Sequence, residues 1–204
     1  MTHPSGQSRA LRTAVLLYLA LGLAACNPIE NESQSASVLV LNSLTGLDVQ
    51  GAVSNFLASD VVRVDPVTKA RSWRADAAQA TLAVMPLDPA PILGTSPYYD
   101  VVVTRYIITF VRSDGRNVPG RDVPYGFEGS MSLRIAVNGT ATASFVVVRE
   151  VAKQEPPLLG LYDGTPDEVL NITAKIEFYG HDLANRAVKA TGYLAVTFAN
   201  FVDL

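Results

Sequence analysis

Apolar residues return at every second position through the second half of the chain, and few folds accept that pattern. Met131, Leu133, Ile135 and Val137 alternate with Ser130, Ser132 and Arg134, and Ala141, Ala143, Phe145 and Val147 alternate with Thr140, Thr142 and Ser144. Further on, Leu170, Ile172, Ala174, Ile176 and Phe178, then Val188, Ala190, Leu194, Val196 and Phe198, share one parity. Thr173, Lys175, Glu177, Thr191, Tyr193 and Thr197 take the other. Successive side chains leave a strand on opposite faces, so a period of two marks strands with one dry and one wet face. Dry faces must be buried against one another, which points to packed sheets.

The whole body reads this way. Strands are expected at Val38–Leu44, Val61–Asp65, Ala77–Met85, Tyr98–Arg112, Gly129–Val137, Thr140–Val151, Val169–Tyr179 and Ala187–Phe201. Turn residues separate them: Asp65-Pro66, Asp88-Pro89, Asp114-Gly115, Asn138-Gly139, Pro156-Pro157 and Asp163-Gly164. The alanines of Arg74–Val84 permit a helix, but a strand ending at Met85-Pro86 is preferred. One helical turn is allowed within Gly51–Ser59. The Gly180–Arg186 connection reads as a surface loop.

The Asn138-Gly139 dipeptide by itself favours a two-residue hairpin loop. That register would oppose Phe145 to Ser132 and mix the faces. A three-residue loop, Val137-Asn138-Gly139, instead opposes Ile135 to Ala141, Leu133 to Ala143 and Met131 to Phe145. Register follows the buried face, so the longer loop is expected, with Gly139 in the left-handed position. Eight or so antiparallel strands then stack as two sheets.

The N-terminus has a different character. Arg9 and Arg12 precede the apolar run Thr13–Ala25, and no acid occurs before Cys26. As a helix the run spans about 20 Å, too short for a hydrocarbon core of roughly 30 Å but suited to a signal peptide. Its end, Leu23-Ala24-Ala25-Cys26, resembles the lipobox of bacterial lipoproteins. That resemblance implies cleavage before Cys26 and acylation of its thiol, so that the membrane is a partner through lipid on Cys26. In Gram-negative lipoproteins an aspartate at this position favours inner-membrane retention, so Asn27 implies the outer membrane if the envelope is Gram-negative; a Gram-positive cell surface is the alternative. Asn27–Ser37 is polar and aperiodic and reads as a flexible tether, with a reach of at most about 40 Å. The expected organisation is a signal peptide over 1–25, a lipidated Cys26 and tether over 26–37, and a folded domain over 38–204.

The expected fold is all-β: a single antiparallel β-sandwich of about 7–9 strands, which resembles immunoglobulin-like and fibronectin-III-like domains in architecture. Trp73 is the chain's one tryptophan and Cys26 its one cysteine, so the Cys…Trp…Cys signature of true immunoglobulin domains is missing. The stretches TRYIITFVRSDGRNVPGRDVPYGFEG and FYGHDLANRAVKATG are similar to segments of uncharacterised bacterial lipoproteins.

Composition excludes several functions. Without residues 1–25 the chain has 14 Lys and Arg against 19 Asp and Glu, a formal charge of −5. No basic stripe is present to displace counterions from nucleic acid. With Cys26 committed to lipid there is no disulfide and no thiolate metal site. His181 is the only histidine after Cys26, no G-x-S-x-G elbow occurs, and His181 with Asp182 reads as a solvated loop pair. Asp163, Thr165, Asp167 and Glu168, and separately Asp182 and Asn185, cluster without an EF-hand spacing. Glu128, Glu150, Glu155 and Glu177 are scattered surface charges. No catalytic residue, cofactor or metal is expected.

The binding candidate is the long connection Ser113–Glu128. It mixes Arg116, Arg121, Asp122, Tyr125 and Phe127, and arginine with aromatics is typical of interfaces. The expected function is therefore that of a non-catalytic, lipid-anchored envelope module that binds an envelope protein or serves in an assembly. A carbohydrate-binding or adhesive module is the alternative, and a hydrolase comes third.

Overall fold

A computed structural model describes residues 35–48, 50, 52–92, 94–162 and 169–201. The expected signal peptide, Cys26, most of the tether and the acidic turn Asp163–Glu168 lie outside the described residues. Among the described residues there are eleven strands. They are β1 (Ser37–Leu47), β2 (Val53–Ser54), β3 (Phe56–Asp60), β4 (Arg63–Val64), β5 (Arg71–Ser72), β6 (Asp76–Pro86), β7 (Val101–Val111), β8 (Phe127–Ile135), β9 (Thr140–Val148), β10 (Leu170–Asp182) and β11 (Ala187–Ala199). Three of them, β2, β4 and β5, are two residues long, too short to leave an alternating pattern.

Two sheets face each other, one ordered β2-β1-β6-β9 and the other β3-β11-β10-β7-β8. The connections β6–β7, β8–β9 and β9–β10 each cross from one sheet to the other, the Greek-key wiring of an immunoglobulin-like sandwich. The β10–β11 pair buries the expected parity, with Leu170 opposite Phe198 and Phe178 opposite Ala190. The alanine-rich segment is the strand β6, with Ala78, Ala80, Leu82 and Val84 buried between its neighbours.

Four expectations are corrected. First, β8 and β9 do not form a hairpin: β8 pairs with β7 and β9 pairs with β6, in opposite sheets. Met131 and Leu133 from one sheet, and Ala141 and Phe145 from the other, pack on the same core. Alternation reports which side of a strand is dry, not which sheet the strand joins. The intervening turn is held from both sheets. Asp100 accepts the Val137 N–H at 3.0 Å, the Asn138 N–H donates to the Val84 carbonyl at 2.8 Å, and Asn138, not Gly139, takes the left-handed conformation at φ 61°. Second, the sandwich is not wholly antiparallel, because β3 runs parallel to β11. The first edge splits: β2 stays with β1, and two residues later β3 joins the opposite sheet. Third, the described residues of the segment expected to allow a helical turn, 52–59, hold β2 and most of β3 and no helical turn, and Pro97–Tyr99 is a 3-10 helix that precedes β7. Fourth, the body begins before residue 38. Ser35 and Ser37 are buried, and the Ser35 hydroxyl donates to Asp182 at 2.7 Å.

The core is knitted by edge-to-face aromatic contacts that cross between the sheets. Tyr106 of β7 meets Phe145 of β9 at 5.0 Å, and Phe145 meets Phe178 of β10 at 5.3 Å between ring centroids. A side chain at Gly129 would overlap the Tyr106 ring. At Gly180 the β7–β10 ladder shifts register, and a Cβ there would collide with the Val102 carbonyl oxygen.

Two outcomes follow from this packing. Gly180→Ala has only backbone to push against and is expected to destabilise by about 1–3 kcal/mol, seen as a lower urea midpoint at unchanged slope. The Val137 N–H and then the Arg134 guanidinium hold the Asp100 carboxyl below its ordinary value. A folded value below the unfolded one means that this stabilisation is present above about pH 5 and is lost as pH falls toward about 3. Asp100→Asn is therefore expected to lower the thermal midpoint at neutral pH and to flatten its fall in acid, as read by circular dichroism.

Candidate functional site

The connection Ser113–Glu128 satisfies itself. Asp114 accepts from Arg112 at 2.6 Å and from Arg116 at 2.9 Å, and these guanidiniums, Arg112 first, hold its carboxyl far below the usual range. Arg121 pairs with Asp122 at 2.9 Å, which lowers the aspartate and raises the arginine. Asp122 also accepts the Val118 N–H at 3.1 Å, and Val123 is buried beneath. Arg116 and Arg121 thus carry neutralised charge. Tyr125 is exposed. Phe127 belongs to β8, with its ring edge-on to Tyr106 at 6.3 Å and the Arg149 guanidinium 4.8 Å above it. Arg116 and Arg121 both act on Asp122, and the Tyr125 ring lies over Gly120 beside them, while Phe127 is half-buried in β8.

His181 and Asp182 also sit differently from expectation. Both belong to β10, which runs to Asp182, so the surface loop shrinks to residues 183–186. Asp182 is buried and accepts from the Ala184 and Arg186 N–H groups at 3.0 and 2.9 Å. It closes the turn in which Asn185 is left-handed and is not available as a catalytic or metal-binding carboxylate. No group of three metal-ligating side chains occurs among the described residues.

The ionisable groups that do converge lie elsewhere. Asp76 opens β6 in one sheet, Ser59 and Asp60 close β3 in the other, and Lys153 lies in the 3-10 helix Val151–Gln154 after β9. The Lys153 side chain is 2% exposed. Its ammonium donates to the Asp60 carbonyl at 2.7 Å and pairs with Asp76 at 2.9 Å. The Ser59 hydroxyl donates to the same Asp76 oxygen at 2.6 Å. Burial pushes the Asp76 carboxyl above its ordinary value, against the opposing pull of Lys153 and Ser59.

A cleft of about 670 Å³ opens over this group. Leu57, Val64 and Phe201 supply apolar wall, and Asp48, Asp60, Arg63, Asp65 and Arg74 supply charge. Much of the acidity is already engaged. Asp48 accepts the Ala52 N–H, and Asp65 accepts the Val67 and Thr68 N–H groups, which lowers its carboxyl value. Asp60 accepts the Phe201 N–H. Arg63 is 3.8 Å from Asp60 and largely exposed, and Arg74 has no ion pair among the described residues. Asp48, Asp60 and Asp65 keep their negative charge while they accept these N–H groups, so the rim is mixed, with Arg63 and Arg74 beside the carboxylates. A second depression of about 150 Å³, at Thr45, Ala77, Gln79 and Ser144, carries no ionisable side chain.

Sequence reasoning missed this group because nothing local marks it. Lys153 follows a strand and precedes Gln-Glu-Pro-Pro, as an ordinary surface lysine would, and Asp76 looks like a strand-opening polar residue. No protein-family model matches the chain, and no curated protein matches it.

Removing one partner of a buried pair strands the other, at about 3–5 kcal/mol. Lys153→Met is expected to fall in that range at neutral pH. Without the ammonium the Asp76 value rises further, so the variant loses stability as pH rises through it. The deficit against the parent protein should shrink between about pH 7 and pH 5, as measured by urea unfolding at each pH.

Proposed function

We propose that this chain is a lipid-anchored, non-catalytic binding module of a bacterial envelope, outer-membrane in a Gram-negative cell, which engages an envelope protein at the cleft over Lys153. The anchor rests on the basic n-region, the apolar run Thr13–Ala25 and the lipobox ending in Cys26. The observation that carries the binding reading is a roomy cleft of mixed charge, with Arg63 and Arg74 among the carboxylates of Asp48, Asp60 and Asp65, above a buried, paired lysine. Such a surface suits a partner segment of complementary mixed charge, whose acidic side chains meet Arg63 and Arg74, with rim charges that speed encounter and fade with salt. The buried groups hold one another and present no free nucleophile or base. The sugar-binding alternative draws no support from the aromatics. Exposed Tyr98, Tyr125 and Tyr193 lie respectively in the connection before β7, in the Ser113–Glu128 connection and on β11.

The test is affinity capture of the full chain from its native membrane in mild detergent, read by quantitative mass spectrometry beside an Arg63→Glu, Arg74→Glu double variant. One co-purifying envelope protein at near-equal amount, lost at least tenfold in the double variant and in high salt, is expected. Equal recovery with the variant, or no stoichiometric partner, overturns the cleft reading. Intact-mass analysis of the same sample checks the anchor: a diacylglyceryl adduct on Cys26 is expected, and Cys26→Ser should release the protein from the membrane fraction.

A further inference from the structure

We infer that the pole of the sandwich from which the N-terminal segment departs lies directly on the lipid surface, with the β6–β7 connection as its contact. This deepens the lipid-anchor reading and rests on it. The start of β1, the end of β6, the start of β7 and the end of β10 meet at this pole. Ser37 is registered with Pro86, and Val101 with both Ile135 and Asp182.

The side chains presented there are apolar. Ile92 is 100% exposed, Leu87 57%, Met85 56% and Tyr98 66%. Val38 is registered directly opposite Met85 and is also exposed. Leu183, whose N–H donates to the Asp100 carbonyl, adds another at the neighbouring turn. Two acids of this pole, Asp100 and Asp182, are buried and hydrogen-bonded within the fold. Between Leu87 and Asp100 the connection has no lysine or arginine and one exposed acid, Asp88. Exposed apolar side chains gathered at one site need a partner. Aliphatic residues beside a tyrosine suit the boundary between headgroups and acyl chains.

The length of chain outside the described body identifies the partner as the bilayer. Only residues 27–34 separate Cys26 from Ser35, which is fastened to Asp182 at this same pole. Nine Cα steps reach at most about 32 Å, so an acylated Cys26 keeps this pole within touching distance of the headgroups. The cleft over Lys153 lies at the other end of strands such as β11, whose 13 residues span about 43 Å. Docking of the apolar pole therefore aims the cleft away from the membrane.

Cys26 is the only cysteine, so once it is acylated an introduced thiol is the sole free one. The test places an environment-sensitive fluorophore at Ile92→Cys, or at Ser113→Cys in the opposite pole, in full-length lipidated protein on phosphatidylethanolamine/phosphatidylglycerol vesicles. Ile92 packs against nothing, so its replacement leaves the core intact. The expected result is blue-shifted emission and several-fold weaker quenching by aqueous iodide at position 92, with position 113 quenched as in free solution. Equal quenching at both positions, in protein that carries the acyl mass and floats with the vesicles, overturns the docking inference while leaving the anchor in place. Absence of the acyl mass and of flotation overturns the anchor reading, and the docking inference with it.

Discussion

The architecture depends on a lysine ammonium that has almost no access to water. Lys153 reaches the Asp60 carbonyl in one sheet and the Asp76 carboxylate in the other, while Ser59 donates to that same carboxylate. Apolar packing between two sheets is non-directional and tolerates sliding. A hydrogen-bonded ion pair across the interface does not, because any slip leaves a charge buried and alone. The junction thus fixes how the sheets sit at this end, and it anchors the crossover from β9 to β10. The cleft above it inherits a floor whose charges are already matched, leaving Arg63 and Arg74 at the mouth.

At the other end of the strands a different arrangement does equivalent work. Asp100 holds the β8–β9 turn through the Val137 N–H, Asp182 closes the β10–β11 turn, and Ser35 ties the chain's entry to Asp182. Buried carboxylates here serve backbone N–H groups, with the Arg134 guanidinium added on Asp100. The outer surface of this pole is left to Leu87, Ile92 and Tyr98. The two ends of one sandwich therefore differ in chemistry: charged and recessed at one, apolar and protruding at the other. Under the proposed lipid anchor at Cys26, that difference becomes a direction.

The Ser113–Glu128 connection shows that composition does not report how charges are paired. Arginines, aspartates and aromatics in a long loop have the makeup of an interface, but each arginine here lies beside an aspartate close in sequence. Local pairing forms at small entropic cost, since the loop to be closed is short. Lys153 and Asp76 pair over a long stretch of chain and become visible only when the sandwich closes. The loop's charges were legible from near neighbours in sequence, whereas the group around Lys153 is assembled from three separate elements: β3, β6 and the 3-10 helix after β9.

What the sequence by itself determined is the local face of each strand. The even parity of Leu170–Phe178 and Val188–Phe198, the strand state of the alanine-rich β6, and the all-β class follow from neighbours one and two residues apart. The pattern of apolar and polar residues sets these without reference to the rest of the chain. Tertiary structure alone decided which strands became partners. The odd-parity faces of β8 and β9 look the same whether the strands pair side by side or face each other across a core. Only backbone hydrogen bonding with β7 and β6, and the grip of Asp100 and Val84 on the turn between them, separates the two outcomes. The junction at Lys153 depends on the same choice, because a buried charge finds its partner only after the sheets have met.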